Sequence, residues 1–179
     1  MIGRTTHLCI FRRFSLPVEL RVLLSKFVVC KLTDETIKDA AFYYSKRDSI
    51  KYRYGLIEWW DTSEVTSMNN LFGMQCNFNK DISNWDVSNV TTMKHMFVYC
   101  QEFNSPLDKW DVSKVKDMND MFACASAFNQ PLGKWNVSNV TDMAGMFFKA
   151  SSFNQCLNTW NVSKVIKKEI KKRFIMFKF

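Results

Sequence analysis

The sequence predicts an α/β repeat solenoid: a right-handed stack of four full 25-residue coils and a partial fifth, behind a helical N-terminal cap. Two observations support this prediction. First, each repeat opens with the motif W-[DN]-[VT]-S-x-V. Second, its tryptophan recurs every 25 residues without insertion or deletion, at Trp60, Trp85, Trp110, Trp135 and Trp160. A fixed period of this length is typical of stacked units, because one unit cannot bury its own apolar face.

A short helix is predicted in the first half of each repeat. In the second repeat, Val90, Met93, Met96 and Phe97 follow helical spacing. The serine of the opening motif stands two residues before this stripe, where a helix N-cap is expected. The predicted repeat core therefore joins the five tryptophans to one phenylalanine per repeat, at Phe72, Phe97, Phe122 and Phe147.

A short parallel strand is predicted in the second half, because Trp135 and Val137 alternate as one face of a strand would. Each full repeat also contains F-N-x-x-[IL], with the same asparagine at Asn79, Asn104, Asn129 and Asn154. A buried asparagine at one point of each coil can bond the backbone of its own turn and of the next. These four residues are therefore predicted to form a structural ladder and not a binding site.

The segments W-D-V-S-N-V-T-T-M-K-H-M-F (85–97) and F-N-Q-P-L-G-K-W-N-V-S-N-V-T-D-M (128–143) resemble the BspA-like leucine-rich-repeat family. The resemblance covers more than half of the chain, and residues 32–59 resemble the lead-in that precedes the first repeat in this family. It implies a leucine-rich-repeat-like stack used for adhesion or protein–protein contact, without known chemistry. Members of the family include bacterial surface proteins.

Three domains are expected: a helical cap and lead-in (1–59), the repeats (60–165) and a basic amphipathic cap or tail (166–179). Within the cap, Pro17 followed by Leu20, Leu23 and Leu24 predicts an amphipathic helix. Its string L-P-x-E-L resembles the start of an F-box, which leaves an F-box-like segment at 14–30 as an alternative to a plain cap. A second helix is predicted from Thr33 or Asp34 to about Lys51.

The C-terminal segment 166–179 departs from the repeat pattern, which should continue as T-x-M-x-x-M-F. Three interpretations stay open. Ile166, Ile170, Phe174 and Phe177 could line a helix that covers the last repeat. The basic residues could rest on an anionic membrane surface. The reading frame could also have been truncated or shifted here.

The net charge of +8 is unevenly distributed. Residues 1–59 carry 11 basic and 6 acidic side chains, residues 60–165 carry 8 and 10, and residues 166–179 carry 6 and 1. A surface that follows nucleic-acid phosphates would instead repeat lysine or arginine at recurring positions. The repeats are therefore not expected to bind nucleic acid.

No motif predicts an enzyme, and neither a cofactor nor a metal site is expected. Asp61, Asp86 and Asp111 share one column, but asparagine replaces them in later repeats, which favours a turn role over metal or acid chemistry. The six cysteines form no C-x-x-C pair, which favours reduced thiols. Residues 1–30 resemble neither a signal peptide nor a membrane span, so an intracellular location is favoured.

We therefore expect a monomeric, non-enzymatic module that binds a protein partner. The predicted contact row comprises the variable residues before each tryptophan, Asn84, Lys109, Lys134 and Thr159. A second possible row lies on the outer side of the predicted helices, at Asn69–Asn70, Lys94–His95, Asn119–Asp120 and Ala144–Gly145. The alternatives are an F-box-like substrate adaptor for a ubiquitin ligase and a surface adhesin.

Overall fold

The computed structural model describes residues 31–46 and 54–166, in which the 25-residue repeats stack through equivalent positions. We number these repeats as unit 1 (60–84), unit 2 (85–109), unit 3 (110–134), unit 4 (135–159) and a partial unit 5 from Trp160. The described elements are helix α1 (Asp34–Lys46) and a 3₁₀ turn (Ile57–Trp59). Single parallel bridges pair Lys31 with Asp61 and join Ser67, Thr92, Asp117 and Asp142 in succession.

The predicted α/β repeat solenoid is wrong. Throughout residues 60–166, which are all described, turns and bends replace both the helix and the strand expected in each unit, and no sheet forms. The bridges between units lie at Ser67 and its equivalents, away from the strand predicted at the tryptophans; the bridge beside a tryptophan, at Asp61, pairs with Lys31 and not with another unit. The motif serine does not cap a helix: the Ser88 backbone N–H donates to Asp86 Oδ1 at 2.9 Å and closes a local turn.

Alternating backbone bonds form a ladder of turns in the segment that was predicted to be helical. In unit 1, the N–H groups of Met68, Asn70, Phe72 and Met74 donate to carbonyls in unit 2, each 24 residues later in the chain. The intervening N–H groups of Leu71, Gly73 and Gln75 donate to carbonyls three residues earlier in the same unit. Half of the donors that an α-helix would use internally therefore hold neighbouring units together.

Two left-handed residues per unit make this ladder possible. Positive φ recurs in the column Asn70, His95, Asp120 and Gly145, and again four residues later at Met74, Tyr99, Cys124 and Lys149. A left-handed residue interrupts an α-helix. At Gly145 (φ 65°) a Cβ atom would also meet the Asp120 carboxylate of unit 3, so a larger residue there would require that side chain to move.

The core consists of aromatic columns that run along the stack. Phe72, Phe97, Phe122 and Phe147 stack with centroid distances of 5.4–5.8 Å, and Phe78, Phe103, Phe128 and Phe153 with distances of 5.7–5.9 Å. The five tryptophans are also buried. From unit 2 onwards each indole N–H donates to a backbone carbonyl 28 residues earlier, at 2.8–3.2 Å. These columns bind each unit to its neighbours.

Helix α1 completes the N-terminal side of unit 1. It begins at Asp34, after Thr33, whose backbone N–H donates to Thr36 Oγ1 at 2.8 Å. Ile37, Ala40 and Ala41 form its buried face. The rings of Tyr44 and Trp60 pack edge to face, with their centroids 5.7 Å apart. The helix was predicted to extend to about Lys51; its described bounds end at Lys46, and residues 47–53 lie outside the described residues.

Asp34 takes the place of a preceding repeat. Between units, the N–H of Thr91 donates to Thr66 O at 2.8 Å. In unit 1, the equivalent Thr66 N–H donates instead to Asp34 Oδ1 at 2.7 Å, and the Thr66 hydroxyl donates to Asp34 Oδ2 at 2.6 Å. A side-chain carboxylate thus supplies the acceptors that a backbone carbonyl supplies elsewhere.

Three predictions fall wholly or largely on residues outside the description: the helix at Pro17–Leu24, the F-box-like segment 14–30 and the C-terminal segment 166–179. Only Ile166 of the last segment is described, and its N–H donates to Thr141 O at 3.1 Å. This bond continues the contact between Thr91 and Thr66 into unit 5.

Candidate functional site

The predicted contact row lies at the surface. All four of its members, Asn84, Lys109, Lys134 and Thr159, are exposed, one in each unit. The Thr159 hydroxyl donates to Gly133 O at 2.6 Å. Hydrogen bonds from Ser83 lower the pKa of Asp81, and the charge of Lys109 contributes to the same shift. This row is therefore polar, and one of its lysines faces a carboxylate of its own chain.

The second predicted row lies on the ladder of turns, because the expected helices do not form. Its members are tied to one another: Asn69 Oδ1 accepts from the Thr92 hydroxyl at 2.5 Å and from Lys94 N at 3.0 Å. His95 Nε2 lies 3.5 Å from Asp120 Oδ2. These polar groups connect adjacent units.

The asparagines of the F-N motif do form a ladder, but at the surface and not in the core. Asn104, Asn129 and Asn154 each donate a backbone N–H to the side-chain oxygen of the asparagine 25 residues earlier, at 2.9–3.0 Å. Asn79, Asn104 and Asn154 are exposed and Asn129 is half-buried. The expectation that they are buried is wrong, because these bonds lie along the outer edge of the stack.

An apolar strip, which the sequence analysis missed, runs along the ladder. We define the strip as the second set of left-handed residues, one per unit, together with the residue before each of them: Gly73–Met74, Val98–Tyr99, Ala123–Cys124 and Phe148–Lys149. Met74 is 69% exposed, Tyr99 46% and Phe148 41%. The available signal was two adjacent variable columns of mostly apolar residues. The helix predicted in each repeat ended before these two columns, so the sequence did not predict whether their side chains are exposed.

The strip holds its side chains in a costly backbone conformation. Met74, Tyr99 and Lys149 have φ of 66°, 58° and 55°, although the left-handed region costs a residue with a Cβ atom about 1–2 kcal/mol. The first left-handed column instead contains asparagine, histidine, aspartate and glycine, the residue types that tolerate this region best. The exposed, bulky residues of the strip are therefore not explained by backbone preference.

The described residues contain no group of three histidine, cysteine or acidic side chains able to hold a metal ion. Burial raises the pKa of Cys100 to about 12, and its thiol donates to Phe72 O at 3.0 Å. This cysteine is therefore a protonated core residue, and the thiols of Cys76, Cys124 and Cys156 are also unbridged.

A shallow cleft of about 400 Å³ lies at the start of α1, between Thr33, Asp34, Glu35 and Glu64. It opens to solvent, and Asp34 is already engaged by Thr66 and Ser67. In the part of the chain that the structure describes, no helix has the length and apolar character needed to cross a membrane.

The comparisons with known proteins identify a family but no characterised relative. No curated protein and no solved structure matches the chain significantly. Residues 38–160 match the family described as "Mycoplasma protein of unknown function, DUF285". The match covers most of the chain, including units 1–4 and most of α1. The chain therefore belongs to the DUF285 family.

Proposed function

We propose that this protein is a non-enzymatic protein-interaction module whose contact surface is the apolar strip. The observation that carries the proposal is the exposure of Met74 and Tyr99 on successive units. Large apolar side chains exposed side by side mark interaction surfaces more often than isolated ones do. Tyrosine, methionine and phenylalanine are also enriched in protein interfaces.

The strip is a better candidate than the polar row before the tryptophans. A binding site gains most of its affinity from a few large side chains that become desolvated, and the polar row offers only asparagine, lysine and threonine. The resemblance to BspA-like repeats implies adhesion or protein contact, which also supports a role in binding a protein. The polar row is the natural comparison surface for a test.

The test is affinity capture from a lysate of the source organism, with quantification of every captured protein. Three full-length baits are compared: the wild type, the strip variant M74S/Y99S and the control variant K109S/K134S. We expect at least one protein to be captured by the wild type and by the control but not by the strip variant. Tryptophan fluorescence and circular dichroism establish that all three baits are folded.

Two outcomes would contradict the proposal. If the strip variant captures the same proteins as the wild type, the strip is not the contact surface. If only K109S/K134S loses its partners, the row at Asn84, Lys109, Lys134 and Thr159 is the binding surface instead.

A further inference from the structure

We infer that the apolar strip binds a short, extended peptide segment of a partner protein, apolar along its length and carrying a carboxylate next to Lys149. This inference rests on the proposed function. It adds the chemical class of the bound segment and the direction in which that segment lies.

The dimensions of the strip favour a single extended segment. Successive phenylalanine rings stack 5.4–5.8 Å apart, so four units span about 17 Å, the length of about five residues of extended chain. Two side-chain columns give an area on the order of 200 Å², whereas a stable pair of protein copies buries about 800 Å² on each. The strip by itself is thus smaller than one face of a stable dimer interface, and its area matches that of a short peptide.

The side chains of the strip differ in size and leave space for one apolar side chain of the partner. Unit 3 contributes two small side chains to the strip, Ala123 and Cys124. Its neighbours, units 2 and 4, contribute the aromatic side chains of Tyr99 and Phe148. Tyr99 and Phe148 are both substantially exposed, and Ala123 is only 4% exposed. Ala123 lies in the column between Val98 and Phe148, and Cys124 lies in the column between Tyr99 and Lys149. Each of these two small residues therefore has one aromatic neighbour in its column, and together they leave space for an aliphatic or aromatic side chain of the partner.

The charge of the strip sets the direction of the segment. Lys149 is its only charged residue, and the lysine Nζ lies 5.4 Å from the centroid of the Phe148 ring. The opposite end, at Gly73–Met74, carries no charge. In the first left-handed column, His95 Nε2 and Asp120 Oδ2 lie 3.5 Å apart, so these two side chains contact each other. A carboxylate on the bound segment is therefore favoured at the unit 4 end.

The experiment is selection of random dodecapeptides displayed on phage against immobilised full-length protein, with depletion on the bare support only. Synthetic versions of the selected peptides are then titrated by fluorescence anisotropy against the wild type, Y99S, C124F, K149E and the control K134S. The C124F variant fills this space with an aromatic ring, a side-chain type that the equivalent Tyr99 already places at positive φ. K149E reverses the charge at the unit 4 end and also removes the contact of the Lys149 ammonium with the Phe148 ring, so its readout is the charge preference of the peptide and not the affinity alone.

We expect the selected peptides to share an apolar stretch with Asp or Glu at one end. Y99S should weaken their binding by about tenfold or more, as removal of a buried anchor does, and C124F should weaken it by a similar factor because its ring occupies the space of the peptide side chain. K149E should replace the preference for an acidic end with a preference for a basic one, and K134S should change nothing. Circular dichroism of each variant separates loss of binding from loss of folding.

Other results would overturn the inference in distinguishable ways. If K149E leaves the acidic preference intact, or Y99S and C124F bind as well as the wild type, the segment does not lie on the strip. If no peptide is selected while lysate capture still depends on Met74 and Tyr99, the partner presents a folded surface; the peptide inference then fails and the proposed function stands. A dimer in sedimentation velocity that Y99S abolishes would make a second copy the occupant.

Discussion

Trp60 and Trp110 occupy the same position of the repeat and are equally buried, yet their indole N–H groups differ. Trp110 Nε1 donates to Ile82 O at 3.2 Å. Trp60 Nε1 is buried and, within the described residues, has no hydrogen-bond partner. Unit 3 rests on a preceding unit that supplies a carbonyl, whereas unit 1 rests on α1 and the lead-in. The helix thus substitutes for a repeat at some positions and not at others.

At Asp34, helix α1 does supply the contacts that a preceding repeat would make. Its carboxylate meets the Thr66 N–H and hydroxyl, and it also accepts from the Ser67 N–H at 3.0 Å. At this position the inner units therefore bond to a backbone carbonyl of the preceding unit, whereas unit 1 bonds to the Asp34 side chain.

Replacing Phe97 with alanine should be the most damaging change. Its ring is buried and stacks on Phe72, Phe122 and Phe103 at 5.8, 5.4 and 4.0 Å. We expect a loss of about 3–5 kcal/mol in the free energy of unfolding, measured by urea titration with tryptophan fluorescence. The F72A variant should lose less, because Phe72 stacks on the equivalent phenylalanine of only one neighbouring unit. An equal loss in both variants would show that α1 packs as well as a repeat does.

Substitution of Asp34 with alanine should cost about 1–2 kcal/mol, because the Thr66 and Ser67 N–H groups lose their acceptor. D39A, on the exposed side of the same helix, is the matched control and should be nearly neutral. The loss should appear first in hydrogen exchange of the Thr66 and Ser67 amides. If both variants unfold at the same urea concentration, Asp34 does not replace a repeat in energetic terms.

The pH dependence of the wild type should share this origin. Burial of Asp34 is the largest single influence and raises its pKa, but hydrogen bonds from Thr66 and Ser67 together outweigh it, so the pKa is lowered. A carboxylate with a lowered folded-state pKa stabilises the protein above its unfolded-state pKa. This contribution is lost as the pH falls through the folded-state value. Urea titrations from pH 6 down to pH 3 should therefore show a smaller decline for D34A than for the wild type.

The tryptophan pair gives a smaller and more specific contrast. Phenylalanine at position 110 leaves Ile82 O without its donor, whereas phenylalanine at position 60 removes an N–H that has no partner among residues 31–46 and 54–166. Both variants lose similar ring volume, so W110F should cost about 1 kcal/mol more than W60F in urea titrations. An equal cost would mean that the orphaned N–H of Trp60 is satisfied in solution.

The smallest effect concerns the aspartates two residues before the motif serines. Hydrogen bonds from Ser88 lower the pKa of Asp86, and those from Ser113 lower the pKa of Asp111. The double variant D86N/D111N should retain its stability at pH 7, because Asn136 and Asn161 accept the equivalent serine N–H groups at 3.2 and 3.1 Å. Its stability should decline less than that of the wild type as the pH falls from 6 to 3. D108N is the control for loss of charge, and a similar change in that variant would contradict the assignment.

Much of the side-chain arrangement was readable from the sequence. The period, the unit boundaries and the aromatic columns followed from the spacing of tryptophan and phenylalanine, and those side chains are buried. The start of α1 was predicted at Thr33 or Asp34 from its capping residues, and the helix begins at Asp34. The predicted helices and strands were wrong because the spacing of Val90, Met93, Met96 and Phe97 fits a helix and a ladder of turns equally well. A clue did exist: Asn70, His95, Asp120 and Gly145 share one column, and these residue types tolerate positive φ.

The sequence by itself determined that identical units stack and which side chains they bury, because apolar burial depends on composition and spacing and has little directional preference. Only the tertiary structure decided the backbone conformation. The N–H groups of Met68, Asn70 and Phe72 could have bonded within a helix, but they find carbonyls 24 residues away in the next unit. That choice also turned Met74 and Tyr99 outward and so created the apolar strip. A local pattern cannot reveal this outcome, because the competing acceptor exists only once the units are stacked.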